Sequence, residues 1–366
     1  MPWTGELVAR WRRLTSTAGL AAGIAAAGVG AVIAAEKVAV GRMRTQPDPA
    51  ALEPFGQLRG RPLTVLADDG VPLHAEISGP EDAPLTIVFC HGYTLSQDVW
   101  HYQRQDLEQD TRLVFWDQRG HGRSGRSAPE RLTIDQLGKD LQAVLAATVP
   151  ARGPVVLVGH SMGGMTIMAL AAQQPELFGT TVVGVMLIST AAAKLDPGAY
   201  LPAPLRPAAR LLTPPVLRGS ASGRRAELVE RVRSGAADLS FLSTRLVAFG
   251  DIDVSPTAVD FLDRIIRATP IEVVAGFFPA LRDHDKRSAL PVLGQVPTIV
   301  LSGAEDRLIP ARLAEDLAAG IPGATLIIVP GAGHAIILER PDVVTEEISD
   351  LAAIALNRAK PRGRRS

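Results

Sequence analysis

The feature that most constrains this chain is a succession of short apolar runs, rich in β-branched residues and alternating with longer helix-like segments. In order they are "LTIVFC", "RLVFW", "VVLVG", "VGVMLIS", "TIVLSG" and "TLIIV". Continuous apolar runs of this length are expected of strands buried on both faces, as in a largely parallel sheet with helices on either side. Before them, "LTVLA" and "PLHAEIS" flank the turn signal "DDG", which predicts an opening antiparallel pair. Between the fourth and fifth apolar runs, from about Ala191 to Leu290, no comparable strand occurs. Proline-rich joints and helix-like stretches such as "RRAELVERVRSG" and "TAVDFLDRIIRAT" take its place. A connection of roughly 100 residues far exceeds the usual few, so this insert reads as a helical cap.

Of the 366 residues, 46% are hydrophobic, enough for a substantial core. Lys and Arg together number 38, as do Asp and Glu, so no long-range field draws the chain to nucleic acid. The single cysteine, Cys90, excludes an internal disulfide and a multi-cysteine zinc site, and its place in a run predicts a buried strand residue. The N-terminus stands apart. Residues 18–35 read "AGLAAGIAAAGVGAVIAA" without a charge, long enough to span a bilayer, although alanine and glycine supply little transfer energy. Association with a membrane through residues 18–35 is the expectation; a signal peptide and a soluble alanine-rich helix are the alternatives. Without the anchor the protein would be cytoplasmic or secreted. The expected units are 1–45, the hydrophobic segment and its flanks; 58–190 and 291–357, the two parts of the core; 191–290, the cap; and 358–366, a basic tail.

The chemistry begins at "VVLVGHSMGGMTIM". Gly159 and Gly163 bracket Ser161 in a G-x-S-x-G pattern between a strand and a helix-like segment. A serine on so sharp a turn needs glycine neighbours, because side chains there would collide with adjacent backbone. Serine is a weak nucleophile at neutral pH and needs a base, itself held by a third group. His160 is adjacent, but neighbouring side chains on a tight turn diverge, and packing behind the turn is its expected role. His334, in "VPGAGHAIILERP" after the last strand, is the better base. Asp306, in "TIVLSGAEDRLIP" after the preceding strand, is the expected acid. Each alone reads as an ordinary polar loop residue; three at successive strand ends make a constellation. Hydrolysis through a tetrahedral intermediate also needs donors for the developing charge. "IVFCHGYTLSQDVW" supplies the amide of Tyr93, and the amide of Met162, after the nucleophile, supplies the second.

These residues resemble the α/β-hydrolase superfamily over about residues 60–355. The resemblance is carried by "HGY" with Trp100 downstream, "DQRGHGRS", "GHSMGG", "SGAEDRLIP" and "GAGHAIILERP", in the family's order and spacing. It implies a mostly parallel eight-stranded sheet flanked by helices, with a helical cap inserted after strand six. It also implies Ser161, Asp306 and His334 as nucleophile, acid and base, and a structural rather than catalytic His121. Members that open epoxides or remove halogens carry aspartate at the elbow; the serine here makes those activities unlike this chain. The serine branch serves esterases, lipases, thioesterases, carbon–carbon bond hydrolases and cofactor-free perhydrolases, and pocket shape selects among them.

Phe241, Phe249 and Phe277 are the candidate substrate-binding residues within an apolar cap that also holds Leu242, Phe261 and Phe278, which favours a small-molecule ester with a hydrophobic acyl group. Simple cap core is the bland alternative for each. The H-x4-D spacing from His101 to Asp106 suggests an acyltransferase, yet it falls on a helix-like segment and reads as chance. No metal or organic cofactor is implied, since no histidine and carboxylate cluster has ligand spacing and no phosphate-binding glycine pattern follows a strand. A membrane-tethered binding protein on a degenerate hydrolase fold is the reading from another class.

Overall fold

The structure is a computed structural model that describes residues 48–359 except 152, 194–236 and 252, together with residues 41 and 45. Residues 18–35 and residues 360–366 of the expected basic tail lie outside the described residues, as does most of the first half of the expected cap. Among the described residues no helix is long and apolar enough to cross a membrane.

Eight strands form one sheet in the order β1-β2-β4-β3-β5-β6-β7-β8. They are β1 (Arg61–Leu66), β2 (Pro72–Ser78), β3 (Thr86–Cys90), β4 (Arg112–Trp116), β5 (Val155–His160), β6 (Val182–Ile188), β7 (Thr298–Gly303) and β8 (Thr325–Val329). Only β2 opposes the rest: it pairs antiparallel with both β1 and β4, and every later pair is parallel. The sheet matches the eight runs read from the sequence. Cys90 ends β3 and is fully buried, as expected.

The helices are α1 (His101–Leu107), α2 (Ile134–Thr148), α3 (Met162–Gln173), α4 (Ala237–Ala248), α5 (Pro256–Ala268), α6 (Ile271–Arg282), α7 (Leu290–Leu293), α8 (Ala311–Gly320), α9 (Ile336–Glu339) and α10 (Pro341–Ala359). Their starts follow local chemistry. Thr133 accepts from the Gln136 amide to cap α2, and Ser255 accepts from the Ala258 amide before Pro256 opens α5.

Side chains of a strand alternate between faces, so each buried strand feeds two cores. Val88 and Cys90 of β3 join Leu137, Leu141 and Val144 of α2, and Met165 of α3, on one face. Ile87 and Phe89 join Leu107 of α1 and Ile348 and Leu351 of α10 on the other. One strand departs from the two-faced expectation. β8 is the sheet's last strand, and Thr325 and Leu326 are exposed, because it has a neighbour on one side only. The helices α4, α5 and α6 fall between β6 and β7, where the insert was expected. They contribute to both cores: Phe241 and Phe261 to one, Val273 and Phe277 to the other.

Candidate active site

The parallel strands β5, β7 and β8 deliver three loops to one edge of the sheet. β5 runs into Ser161, whose φ of 52° and ψ of −118° lie in a region that L residues rarely adopt, and α3 begins at the next residue. Such a conformation costs on the order of 1–3 kcal/mol and persists only where the surroundings enforce it. Here they do. The Ser161 amide donates to the Ile188 carbonyl at 2.9 Å, and the Thr190 hydroxyl donates to the Ser161 carbonyl at 2.8 Å. A Cβ on Gly159 would sit 2.7 Å from the Gly163 carbonyl carbon, and one on Gly163 would sit 2.0 Å from the Cys90 carbonyl oxygen. Both glycines are therefore required by close backbone approach, the crowding expected from the sequence.

Asp306 follows β7 and is 4% exposed. Its Oδ1 accepts from the amides of Leu308 and Ile309, at 2.9 and 2.8 Å, and its Oδ2 lies 2.8 Å from His334 Nδ1. The carboxylate is thus oriented by its own loop before it meets the imidazole. With the proton of Nδ1 shared with Asp306, Nε2 is left as the basic nitrogen. His334 and Ser161 line one cavity of about 310 Å³, together with Gly92, Tyr93 and Thr94 from the loop after β3.

That loop is held by two buried histidines. His91 donates from Nδ1 to the Gly92 carbonyl at 2.7 Å and accepts at Nε2 from the Gln118 amide at 2.9 Å. His121 accepts at Nε2 from the Thr94 amide at 3.1 Å, while its Nδ1 donates to the Arg119 carbonyl at 3.0 Å. Both need a lone pair on Nε2, so both must be neutral. Burial keeps them so: it pushes His121 down to about 4 and His91 well below the ordinary histidine value. On the outer side, the Tyr93 hydroxyl donates to the Val274 carbonyl of α6, and the Thr269 hydroxyl donates to the Thr94 carbonyl at 3.0 Å.

A sequence model of the alpha/beta hydrolase family matches residues 87–347, more than two thirds of the chain. The chain belongs to that family. A pimeloyl-[acyl-carrier protein] methyl ester esterase from Pectobacterium atrosepticum is 27% identical over 268 residues, 72% of this chain and 92% of that protein. A Variovorax paradoxus protein named for carbamate hydrolysis is 27% identical over 285 residues, 77% of this chain and 97% of its own. Among solved structures, a thermophilic esterase from Thermogutta terrifontis superimposes with a TM-score of 0.61 at 24% identity, covering 81% of this chain and 99% of that one. The last likeness bears on the fold alone.

In this hydrolase His160 also lines the cavity, but its ring is engaged by the main chain of His334. Its Nε2 donates to the His334 carbonyl at 2.9 Å, its ring centroid is 4.9 Å from that of His334, and burial pushes it down to about 3. Met162, the other residue expected to offer an amide, is fully buried as the first residue of α3. His101 donates from Nε2 to the Glu53 carboxylate, 3.1 Å away, and neither it nor Asp106 lines the cavity.

The cap phenylalanines need correction. Phe241, Phe249 and Phe277 are at most 1% exposed, belong to the two cores and are not among the cavity's lining residues. The cavity wall is built instead by Leu262 and Ile266 of α5, Phe278 and Leu281 of α6, and Leu308 and Ile309 beside Asp306. The expected apolar character holds; the residues that supply it differ. The reason is helical geometry: Phe277 and Phe278 are neighbours on α6 and point about 100° apart, so one enters the core and the other the cavity. Among the described residues no group of three or more His, Cys, Asp or Glu side chains is arranged to hold a metal.

Proposed function

We propose that this family member is a serine hydrolase that cleaves carboxylic esters or thioesters of hydrophobic acyl groups through an acyl-enzyme. The observation that carries the reading is the pairing of His334 Nδ1 with Asp306 at 2.8 Å while His334 and Ser161 line the same apolar cavity. In this scheme His334 Nε2 takes the Ser161 hydroxyl proton as Oγ attacks the acyl carbon. The oxyanion then accepts from the amides of Tyr93 and Met162, the first in the loop held by His91 and His121, the second at the start of α3. The imidazolium returns its proton to the leaving alcohol or thiol. Water, deprotonated by the same nitrogen, releases the acid from Ser161.

Support for an ester comes from the methyl ester esterase among its relatives, and for a hydrophobic acyl group from the Leu262, Ile266, Phe278 and Leu281 wall. Ser161 in place of an elbow aspartate separates this reading from epoxide opening and dehalogenation. The same reading includes association with a membrane through residues 18–35, motivated by their uncharged sequence. Full-length protein is expected to sediment with vesicles, and a chain beginning at Leu58 to stay in the supernatant.

The test of the chemistry is covalent. A fluorophosphonate probe is expected to label the wild-type protein and to leave folded Ser161→Ala unlabelled. Absence of label on folded wild-type protein sinks the reading. A series of p-nitrophenyl esters of increasing acyl length then fixes the substrate range. Turnover confined to dienol-diketones would transfer the same residues to carbon–carbon bond cleavage.

A further inference from the structure

The C-terminal end of α4 is in contact with both loops that carry the paired Asp306 and His334. Glu339 spans the gap. Its Oε1 accepts from the Gly333 amide at 2.8 Å, and its Oε2 accepts from the amides of Gly250 and Asp251 at 2.8 and 3.2 Å. One carboxylate therefore ties the residue before His334 to the two residues that follow α4 by one and two positions past Phe249. On the other side of His334, the Ala335 amide donates to the Ala248 carbonyl at 2.8 Å. The His334 carbonyl itself is held by His160. The Asp306 loop meets the same helix end, because Arg307 Nη1 donates to the carbonyls of Leu246 and Phe249 at 2.6 and 2.9 Å.

We infer that the end of α4 is a template that sets His334 against Asp306, and that Glu339 is the positioning residue through which it acts. The inference rests on the function proposed above. Two further observations support it. The backbones are in direct contact: a Cβ on Gly250 would lie 2.6 Å from the Gly333 nitrogen, and one on Gly333 would lie 2.4 Å from the Gly250 nitrogen. Such closeness leaves no room for slack, so a bond lost here shifts the His334 loop instead of being absorbed. Charge also matters. Hydrogen bonds to an ionised carboxylate are about twice as strong as those between neutral groups, and Glu339 accepts from three main-chain amides of the seam. Glu339 touches neither the cavity nor the reacting atoms; its effect passes through the main chain of His334.

Glu339→Gln is the discriminating variant, since it keeps size and packing while turning one acceptor oxygen into a donor that faces an amide. The imidazole is then no longer held at both flanks. The expected result is a fall in kcat on the order of 10²-fold, the cost of displacing a reacting group by about 1 Å, with KM within about threefold. The rate of fluorophosphonate labelling should fall in parallel, because it also depends on His334 drawing the serine proton. Glu339→Ala, lacking both acceptors, should lose at least as much. A lowered melting temperature with wild-type kcat and labelling rate in Glu339→Gln would overturn the inference and reduce Glu339 to a structural tie. Because wild type and variant are compared by the same probe, labelling of wild-type Ser161 stands or falls separately from this result.

Discussion

Asp306 and His160 both touch His334, yet their contacts ask different things of it. Asp306 bonds Nδ1 and so selects the tautomer, whereas His160 bonds only the main-chain carbonyl. Asn at 306 can present either an oxygen or an NH2 to Nδ1; its own loop amides from Leu308 and Ile309 claim the oxygen, which turns the NH2 toward the imidazole. That arrangement favours a proton on Nε2, the wrong tautomer for a base. Asp306→Asn is therefore expected to lower kcat by about 10⁴-fold without unfolding the protein, as loss of the tautomer does in serine triads. His160→Ala leaves the tautomer intact and removes one main-chain anchor, so its kcat loss should be closer to 10-fold. Steady-state kinetics on one p-nitrophenyl ester, with melting temperatures alongside, separates the two. A larger loss in His160→Ala than in Asp306→Asn would reverse the assignment of base support.

At the scale of the element, α6 divides its work between adjacent residues. Phe277 is fully buried beside Val273 and Leu132, with its ring 5.6 Å from that of His121, while Phe278 faces the cavity. Phe277→Ala is expected to cost about 3–5 kcal/mol of stability, the usual range for a buried phenylalanine. Phe278→Ala should leave the melting temperature nearly unchanged and shift the acyl-length optimum upward, raising kcat/KM for longer esters relative to shorter ones by about 10-fold. If Phe278→Ala unfolds the protein and Phe277→Ala changes chain-length preference, the two faces have been exchanged. This pair also marks where the sequence stops being legible. The strands could be read because a run such as "TIVFC" is apolar on both faces, and Ser161, Asp306 and His334 because each follows such a run. Two consecutive phenylalanines carry no record of which will meet the sheet. Glu339 and Arg307 were unreadable for another reason: they act on backbone atoms 88 to 89 and 58 to 61 residues away, and backbone carries no side-chain signature.

Four of the seven histidines are held neutral by burial, and this sets how the molecule meets acid. Burial pushes His121 and His284 down to about 4 and His160 down to about 3, and it keeps His91 well below its ordinary value. In the unfolded chain each takes up a proton near pH 6.5. The unfolded state therefore binds more protons than the folded state below that pH, and stability, fully present above pH 6.5, falls as pH drops. Asp117 opposes the trend, since burial raises it to about 6 and the folded protein takes up its proton first. At pH 6 the folded Asp117 is about half protonated, which offsets only about 0.4 kcal/mol of the histidine effect between pH 7 and pH 6. Between pH 7 and pH 6 the four histidines act largely alone, and together they should lower the unfolding free energy on the order of 2–3 kcal/mol. Urea unfolding at the two pH values measures the change, and calorimetry in buffers of different ionisation enthalpy measures the proton uptake that accompanies it. Stability that is flat or rising from pH 7 to pH 6 would mean that these rings are not held neutral. The hydrogen bonds of His91 and His121 that hold the Tyr93 loop would then need another explanation, because both require a lone pair on Nε2.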